Sequence, residues 1–167
     1  MADSNILSNQ RDPVLHIVLV QPEIPPNTGS IARLCAATGL RLHLVGPLGF
    51  SLADRYLKRA GLDYWPHVDV QVYDDWEQFL ARLNPQRLVL FSARAKRSYL
   101  SIAHVAGEFL VFGSETSGLP AGLLRQHADD TYTIPIFSPH VRSLNLANAV
   151  SIAAYDALRC LGRLSAT

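Results

Sequence analysis

Apolar runs alternate with amphipathic segments along most of the chain. Continuous apolar stretches predict strands at residues 16–21, 41–45, 68–73, 87–92, 109–112 and 132–136. A helical spacing of apolar residues predicts helices at residues 28–38, 51–60 and 74–83, a short helix from Pro120, and a last helix that begins at Ser143 or Asn145. Alternating strands and helices with fully apolar strands are typical of an α/β fold with a mainly parallel sheet and helices on both faces.

Individual residues predict where some of these elements begin and end. The prolines of residues 22–27 should keep that segment non-helical, so Asn27 or Thr28 would cap the first helix, which Gly39 would end. Pro135 removes a backbone donor, which places the last strand at an edge or outside a regular ladder. The last helix is expected to bury a stripe formed by Leu144, Ala147, Val150, Ala154 and Leu158.

Length and composition favour one globular domain, residues 14–164, preceded by a loose polar tail, residues 1–13. Apolar residues make up 49% of the 167 residues and charged residues 17%, which argues against a disordered chain. No apolar run reaches membrane-spanning length, and the tail lacks the basic and apolar regions of a signal peptide. We therefore expect a cytoplasmic protein without a membrane partner.

Cysteines and histidines suggest neither a disulfide framework nor a metal site. Cys35 lies in a helical pattern and Cys160 near the chain end, as expected of small thiols in a reducing compartment. The six histidines are scattered without the spacing of metal ligands, so we expect no metal. The net charge of +1 neither favours nor excludes an anionic partner.

Charges of opposite sign are segregated in the middle of the chain. Every charged residue between positions 63 and 77 is acidic, and every one between positions 82 and 97 is basic. Such blocks are most often solvated faces, which is the simplest interpretation of both.

Four loops follow predicted strands, where ligands bind in open α/β sheets. They cover residues 22–28, 93–98, 113–118 and 137–142. The loop 113–118 lacks the Gly-Lys-Ser/Thr ending of a P-loop and the spacing of the dinucleotide fingerprint. Its Glu115, between two glycines, could accept from a ligand amine or hold an arginine.

Three motifs occur in order along the chain: Asn27-x-Gly29-x-Ile31-x-Arg33, Phe112-Gly113-x-Glu115-Thr116-x-Gly118-Leu119-Pro120, and Ile134-Pro135 followed by Ser143-Leu144-Asn145-Leu146. Together they resemble the three motifs of the SPOUT RNA 2′-O-ribose methyltransferases. Residues 22–29, 59–64 and 84–88 are similar to the small members that methylate the wobble nucleotide of tRNA. The resemblance extends from His16 to Gly162. Any one motif is weakly specific, whereas all three in order are strongly so.

The resemblance implies a fold, a cofactor and an assembly. The family fold is a parallel α/β sheet whose C-terminal part forms a trefoil knot, a topology that general connection rules would not suggest. The knot holds S-adenosylmethionine, and the family works as a homodimer in which the partner chain completes each site. The cofactor would be surrounded by Phe91, Gly113, Ile134, Ser143 and Leu144.

The resemblance also implies which residues act in methyl transfer to a ribose 2′-hydroxyl. The family's arginine, here Arg33, is described as accepting the hydroxyl proton, but a guanidinium normally stays protonated. It could instead stabilise the developing alkoxide or grip the adjacent phosphate. Without the motif Arg33 would be read as a solvated helix residue. The supporting residues would be Asn27, Glu115, Ser143 and Asn145, of which Ser143 and Asn145 could equally be ordinary capping residues.

Three groups of basic residues could contact tRNA phosphates. Those nearest the expected cofactor loop are Arg94, Lys96 and Arg97. A second group, three and four residues apart on one helix face, is Arg55, Lys58 and Arg59. Arg142 is the third candidate. A solvated surface is an equally good interpretation of each group, and no aromatic residues interleave with them as in linear single-strand binders.

The sequence leaves other functions open. The substrate could be another tRNA position or ribosomal RNA, or the protein could be a cofactor-binding RNA chaperone without catalysis. A flavodoxin-like nucleotide binder is a further alternative. Ser114 and Ser117 stand where close relatives often carry Pro and Arg, which weakens inference about substrate detail but not about the cofactor. The loop 136–141 is about one residue longer than the family pattern, and its His140 has no predicted role.

Overall fold

A seven-stranded parallel sheet forms the centre of the molecule. The computed structural model describes residues 12–53, 55, 57, 59 and 64–165. The strands are β1 (Leu15–Val20), β2 (Arg41–Val45), β3 (Val70–Tyr73), β4 (Leu88–Phe91), β5 (Arg97–Ser98), β6 (Glu108–Phe112) and β7 (Thr131–Thr133). The helices are α1 (Pro25–Thr38), α2 (Trp76–Leu83), α3 (Ala121–Gln126) and α4 (Leu146–Cys160). Single 3₁₀ turns lie at Trp65–His67, Tyr99–Ser101 and Ala128–Asp130.

The order of the strands departs from their order in the chain. Across the sheet the order is β3-β2-β1-β6-β4-β7-β5, and every ladder is parallel. β6 and β7 therefore flank β4 on opposite sides, with Leu90 of β4 aligned with both Val111 and Thr131. This arrangement brings the carboxyl ends of β6, β4 and β7 side by side.

Two apolar cores cover the two faces of the sheet, which confirms the predicted α/β class. One core joins β1, β2, β4 and β6 to α1 and α4, and includes Ile31, Val150 and Ala154. The other joins the opposite face to α2 and α3 through Phe79 and Leu123. Within the part of the chain that the structure describes, no helix is both long and apolar enough to cross a bilayer.

The structure corrects two predicted boundaries, and for the last helix it selects Asn145 from the two predicted start residues. α1 begins at Pro25, not at Thr28, because prolines are tolerated in a first helical turn; Asn27 and Thr28 lie inside the helix. β7 spans Thr131–Thr133 and not residues 132–136, so Pro135 lies outside the ladder, which is one of the two predicted alternatives; β7 itself lies between β4 and β5. α4 begins at Leu146 with Asn145 as its N-cap. Leu144, predicted as the first residue of the buried stripe, therefore lies before the helix.

Other boundaries shift by a few residues. The predicted strand 68–73 begins at Val70, and residues 87–92 shorten to Leu88–Phe91. The segment predicted as a basic loop, residues 93–98, ends in the short strand β5, because β7 offers it an edge. Arg55, Leu57 and Arg59 are helical, whereas residues 51–53 are not, and Lys58 with the rest of the predicted helix and residues 1–11 lies outside the described residues.

A chain of buried polar side chains crosses β1, β2 and β3. His16 Nδ1 lies 2.9 Å from His43 Nε2, His43 Nδ1 lies 3.0 Å from the Tyr73 hydroxyl, and that hydroxyl donates to Gln71 Oε1 at 2.7 Å. Because the Tyr73 proton goes to Gln71, His43 must donate through Nδ1 and accept through Nε2 from His16. Burial favours the neutral form of both imidazoles, which agrees with this pattern of donors and acceptors.

Acidification should destabilise the fold through these two histidines. Burial, reinforced by Arg41, lowers the pKa of His16 to about 4, and burial with the neighbouring His16 lowers that of His43 to about 3. The unfolded chain, with histidine pKa values near 6.5, binds more protons below that pH, so stability falls between about pH 6.5 and pH 4. The slope is at most about 1.4 kcal/mol per pH unit for each histidine.

Urea unfolding at pH 7 and pH 5 measures this loss. The variant His43→Gln, which cannot titrate, should show a weaker dependence on pH than the wild type. His67, exposed in the 3₁₀ turn Trp65–His67, offers the matched control His67→Gln, which should retain the wild-type slope. An equal slope in all three proteins would contradict the assignment.

Candidate functional site

The predicted cofactor residues lie at neighbouring strand ends. Phe91 ends β4 and stacks on Phe112, the last residue of β6, with ring centroids 4.7 Å apart. Gly113 follows Phe112, and Ile134 follows β7 and packs partly buried against the same core as Phe91. The strand order β6-β4-β7 thus brings Phe91, Gly113 and Ile134 to one edge of the sheet, as the resemblance predicts.

The loop after β6 is closed so tightly that Gly113 must be glycine. A Cβ on Gly113 would lie 2.0 Å from the carbonyl carbon of Gly118. Ser114 and Gly118 form an isolated bridge, and the buried Ser114 hydroxyl accepts from the backbone N–H of Ser117 at 3.2 Å. Ser114, one of the departures from the family pattern, therefore helps to close this turn.

Glu115 joins the loop after β6 to the loop after β1. Its carboxylate accepts from the backbone N–H groups of Glu23 at 2.8 Å and Ile24 at 3.1 Å, and from Asn27 Nδ2 at 3.2 Å. Ile24, the N-cap of α1, has no side-chain capping bond, so Glu115 supplies an acceptor and a negative charge at that helix start. The carboxylate is committed to the protein itself, unlike the free ligand acceptor that the sequence suggested.

Asn27 and Asn145 connect the first helix to the last. Asn145 Nδ2 donates to Asn27 Oδ1 at 3.0 Å, while Asn145 Oδ1 accepts from the backbone N–H of Asn148 at 3.2 Å. Asn145 is thus both a helix cap and a tie between distant segments, so its two interpretations are compatible. Glu115, Asn27 and Asn145 form one hydrogen-bonded cluster, which we call the asparagine–glutamate cluster.

The segments beside this cluster have free backbone groups. Residues 135–137 and 142–144 take part in no backbone–backbone hydrogen bond among the described residues. Ser143 is exposed and Leu144 half-buried, directly before Asn145. Unpaired N–H and C=O groups at a strand end and before a helix can satisfy the polar edge of a small molecule.

Arg33 lies on α1, two helical turns beyond the asparagine–glutamate cluster. Its guanidinium carbon lies 4.8 Å from the centre of the Tyr64 ring, in cation–π contact. Six residues separate it from Asn27, which corresponds to about 9 Å along the helix axis. Arg33 is exposed, and its catalytic role stays a prediction.

The candidate RNA-binding residues are dispersed. Arg94, Lys96 and Arg97 line an open cavity beside β5 and β7. Arg142 is exposed in the segment before α4, near the cluster. Arg55 and Arg59 are exposed in a separate part of the chain. No group of histidine, cysteine and acidic side chains that could hold a metal is found in the described part of the molecule.

The structure adds residues that the sequence did not single out. Thr116 donates its hydroxyl to the Glu23 carboxylate at 2.7 Å, which makes a second tie between the same two loops. Tyr64, which belongs to the family-like segment 59–64, supports Arg33 through its ring. Phe137 is 95% exposed between β7 and α4. Its aromatic character was visible in the sequence, but its exposure was not.

Comparison with known families decides the classification. The family model described as the SpoU rRNA Methylase family matches residues 14–155. The chain belongs to the SpoU methylase family. The tRNA (cytidine(34)-2′-O)-methyltransferase of Escherichia coli strain K12, a SpoU relative, is 47% identical over 150 residues, covering 89% of this chain and 95% of the relative. The enzyme of the same name from Methylovorus glucosotrophus is 48% identical over 143 residues, covering 86% and 93%.

The chain is also similar to solved structures of RNA methyltransferases. One, concerned with 2-OH methylation of C/U34 on tRNA, is 49% identical with a TM-score of 0.84, covering 91% of this chain and 99% of that one. An AdoMet-bound rRNA methyltransferase from Sinorhizobium meliloti is 26% identical with a TM-score of 0.79, covering 90% of this chain and 58% of that one.

Proposed function

We propose that this SpoU protein transfers a methyl group from S-adenosylmethionine to the ribose 2′-hydroxyl of the wobble nucleotide, position 34, of tRNA. The proposal rests on the similarity of this chain, over nearly its whole length, to relatives that are named for this activity. The strand-end geometry of Phe91, Gly113 and Ile134 agrees with it.

The residues at the strand ends fit the cofactor. The backbone groups of residues 135–137 and 142–144 are free to bind the adenine edge and the amino-acid part. Phe91, Ile134 and Leu144 supply apolar surface, and Ser143 an exposed hydroxyl. When bound there, S-adenosylmethionine supplies an electrophilic methyl group.

This chain's residues orient the ribose and manage its charge. Glu115, Asn27 and Asn145 fix the loops whose backbone would line the site, and orientation alone can lower a barrier by about 7 kcal/mol in good cases. Arg33 would donate to the alkoxide that develops as the hydroxyl loses its proton, or hold the adjacent phosphate. An arginine stays protonated, so it acts as a donor and not as the final proton acceptor.

A trefoil knot and a homodimer belong to the same proposal. After β7, on the far side of β4 from β6, the chain returns to α4, which packs against α1, β1 and β6. This return past the loops at the ends of β4 and β6 supports a knotted C-terminal segment. Ile152 and Tyr155 expose apolar surface on α4, which a second copy would cover. We place the enzyme in the cytoplasm, where tRNA is modified.

Methyl transfer to tRNA tests the proposal directly. The purified protein, incubated with labelled S-adenosylmethionine and bulk tRNA, should label tRNA, and nucleoside mapping should place the label on the 2′-oxygen of nucleotide 34. Ribosomal RNA serves as the competing substrate. Label on a base, at another position, or only on ribosomal RNA would overturn the assignment, and tRNA binding without any transfer would identify an RNA chaperone.

A further inference from the structure

A cavity of about 360 Å³ lies beside β5 and β7, apart from the residues proposed to hold the cofactor. It is lined by Ser92, Arg94, Ala95, Lys96, Arg97, Leu124, Ala128 and Thr131. Its volume lies in the lower range of small-molecule sites. Three of its lining residues are cationic and none is acidic, so the cavity favours an anionic ligand.

Part of the cavity lining lies on the face of the sheet opposite the cofactor residues. Leu124 packs against the core shared with α2 and α3, whereas Phe91 and Tyr132 belong to the core shared with α1 and α4. Thr131 precedes Tyr132 in a strand, so its side chain points to the other face. Ser92, however, directly follows Phe91. Arg97 is paired with Tyr132 and lies over its ring, so the cavity also reaches the face of the cofactor residues and adjoins them at the same strand end.

Two of the cations have no partner within the described structure. The side chains of Arg94 and Lys96 make no hydrogen bond or ion pair there, and both are exposed. The Arg97 side chain, in contrast, donates to the Asp129 carbonyl, and its guanidinium carbon lies 5.3 Å from the centre of the Tyr132 ring. These two contacts hold Arg97 in place as part of the cavity wall. Arg94 and Lys96 are thus available for a phosphate.

The cavity also offers groups suited to a nucleobase. Leu124, Ala95 and Ala128 form an apolar surface. The Ser92 hydroxyl accepts from the Arg94 backbone N–H at 3.2 Å and keeps its own proton to donate. The Thr131 hydroxyl donates to the His127 carbonyl at 2.6 Å and keeps lone pairs to accept. One donor and one acceptor above an apolar surface can bind the edge of a base.

We propose that this cavity binds one unstacked nucleotide of the tRNA other than the methylated one, its base in the cavity and its phosphate on Arg94 and Lys96. The inference rests on the proposed function, because it supposes a tRNA substrate. Recognition of single-stranded RNA generally uses splayed bases, and the wobble position lies in a loop whose neighbouring bases can be splayed in this way. A nucleotide held here would orient the strand while its neighbour reacts.

Steady-state methylation of tRNA by cavity and charge variants tests the proposal. Ala128→Leu, which fills the cavity at an exposed position, should raise KM for tRNA about tenfold, with little change in kcat, because the base loses its surface. Its control is Ala121→Leu, exposed on α3 and outside the lining.

Arg94→Ala should raise KM and reduce the slope of log KM against log salt concentration by about one unit, because one phosphate contact is lost. Arg125→Ala, exposed on α3, should change neither quantity.

Cross-linking identifies the nucleotide. A photoreactive benzoylphenylalanine at position 128 should cross-link tRNA at a nucleotide other than the methylated one. Equal KM for Ala128→Leu and Ala121→Leu, or a cross-link only at the methylated nucleotide, would overturn the proposal. Absence of tRNA methylation by the wild type would instead refute the proposed function.

Discussion

Replacement of Arg33 by alanine is expected to lower kcat for tRNA methylation by about 10²–10³-fold, because one donor to developing charge is lost. The protein should remain folded, since Arg33 is exposed and its contact with Tyr64 contributes only about 0.5–1 kcal/mol. Binding of S-adenosylmethionine, measured by calorimetry, should change little. Labelled methyl transfer to bulk tRNA measures the loss.

Two further variants separate the possible roles of Arg33. Arg33→Lys keeps the positive charge but lacks the planar guanidinium. If Arg33 binds the phosphate through two parallel hydrogen bonds, the lysine variant should recover little of the activity lost in Arg33→Ala. A rise in KM with unchanged kcat would indicate phosphate binding, and a fall in kcat would indicate stabilisation of the alkoxide. Arg82→Ala, an exposed arginine on α2, is the matched control. Full activity of Arg33→Ala would exclude both roles.

Replacement of Glu115 by alanine should damage both the fold and the activity. The change leaves the N–H groups of Glu23 and Ile24 and the Asn27 amide without their acceptor. Allowing for the partial exposure of Glu115, we expect a loss of about 2–3 kcal/mol in the free energy of unfolding. Methylation should fall about 100-fold or more, because misplacement of a site by small distances has effects of this size.

Urea unfolding and methyl transfer should be measured on the same preparations of the Glu115 variants. Glu115→Gln retains one acceptor oxygen and should lie between the wild type and the alanine variant in both measurements. Ser117→Ala, exposed in the same loop, should resemble the wild type. If Glu115→Ala has wild-type stability and rate, the asparagine–glutamate cluster has no positioning role.

The sequence predicts the elements well because the strand and helix signals are local. The apolar runs and the capping character of Asn145 predict most strands and the start of α4 within a few residues. The start of α1 is different, because its acceptor comes from Glu115, 91 positions further along the chain than Ile24. No local pattern can indicate a cap supplied from so far away.

The sequence predicts only the part of the candidate site that lies at the ends of strands. The motifs identify Phe91, Gly113 and Ile134 as candidate residues. These residues lie close together because β7 pairs with β4 on the side opposite β6, and the order of elements along the chain does not predict that pairing. Likewise, two residues of the predicted basic loop form the strand β5 because they pair with the unpaired side of β7. The exposure of Phe137 and the cavity at Ser92 follow from tertiary packing alone.

The contact between Asn27 and Asn145 spans 118 positions. Contacts between residues so distant in the chain form late, because loop closure must precede them. A nascent chain that has emerged only as far as β7 lacks the Asn145 amide and the whole of α4. The first helix therefore cannot engage the last one until the residues through Asn145 and α4 have left the ribosome, so the asparagine–glutamate cluster is one of the later contacts to be completed on a growing chain.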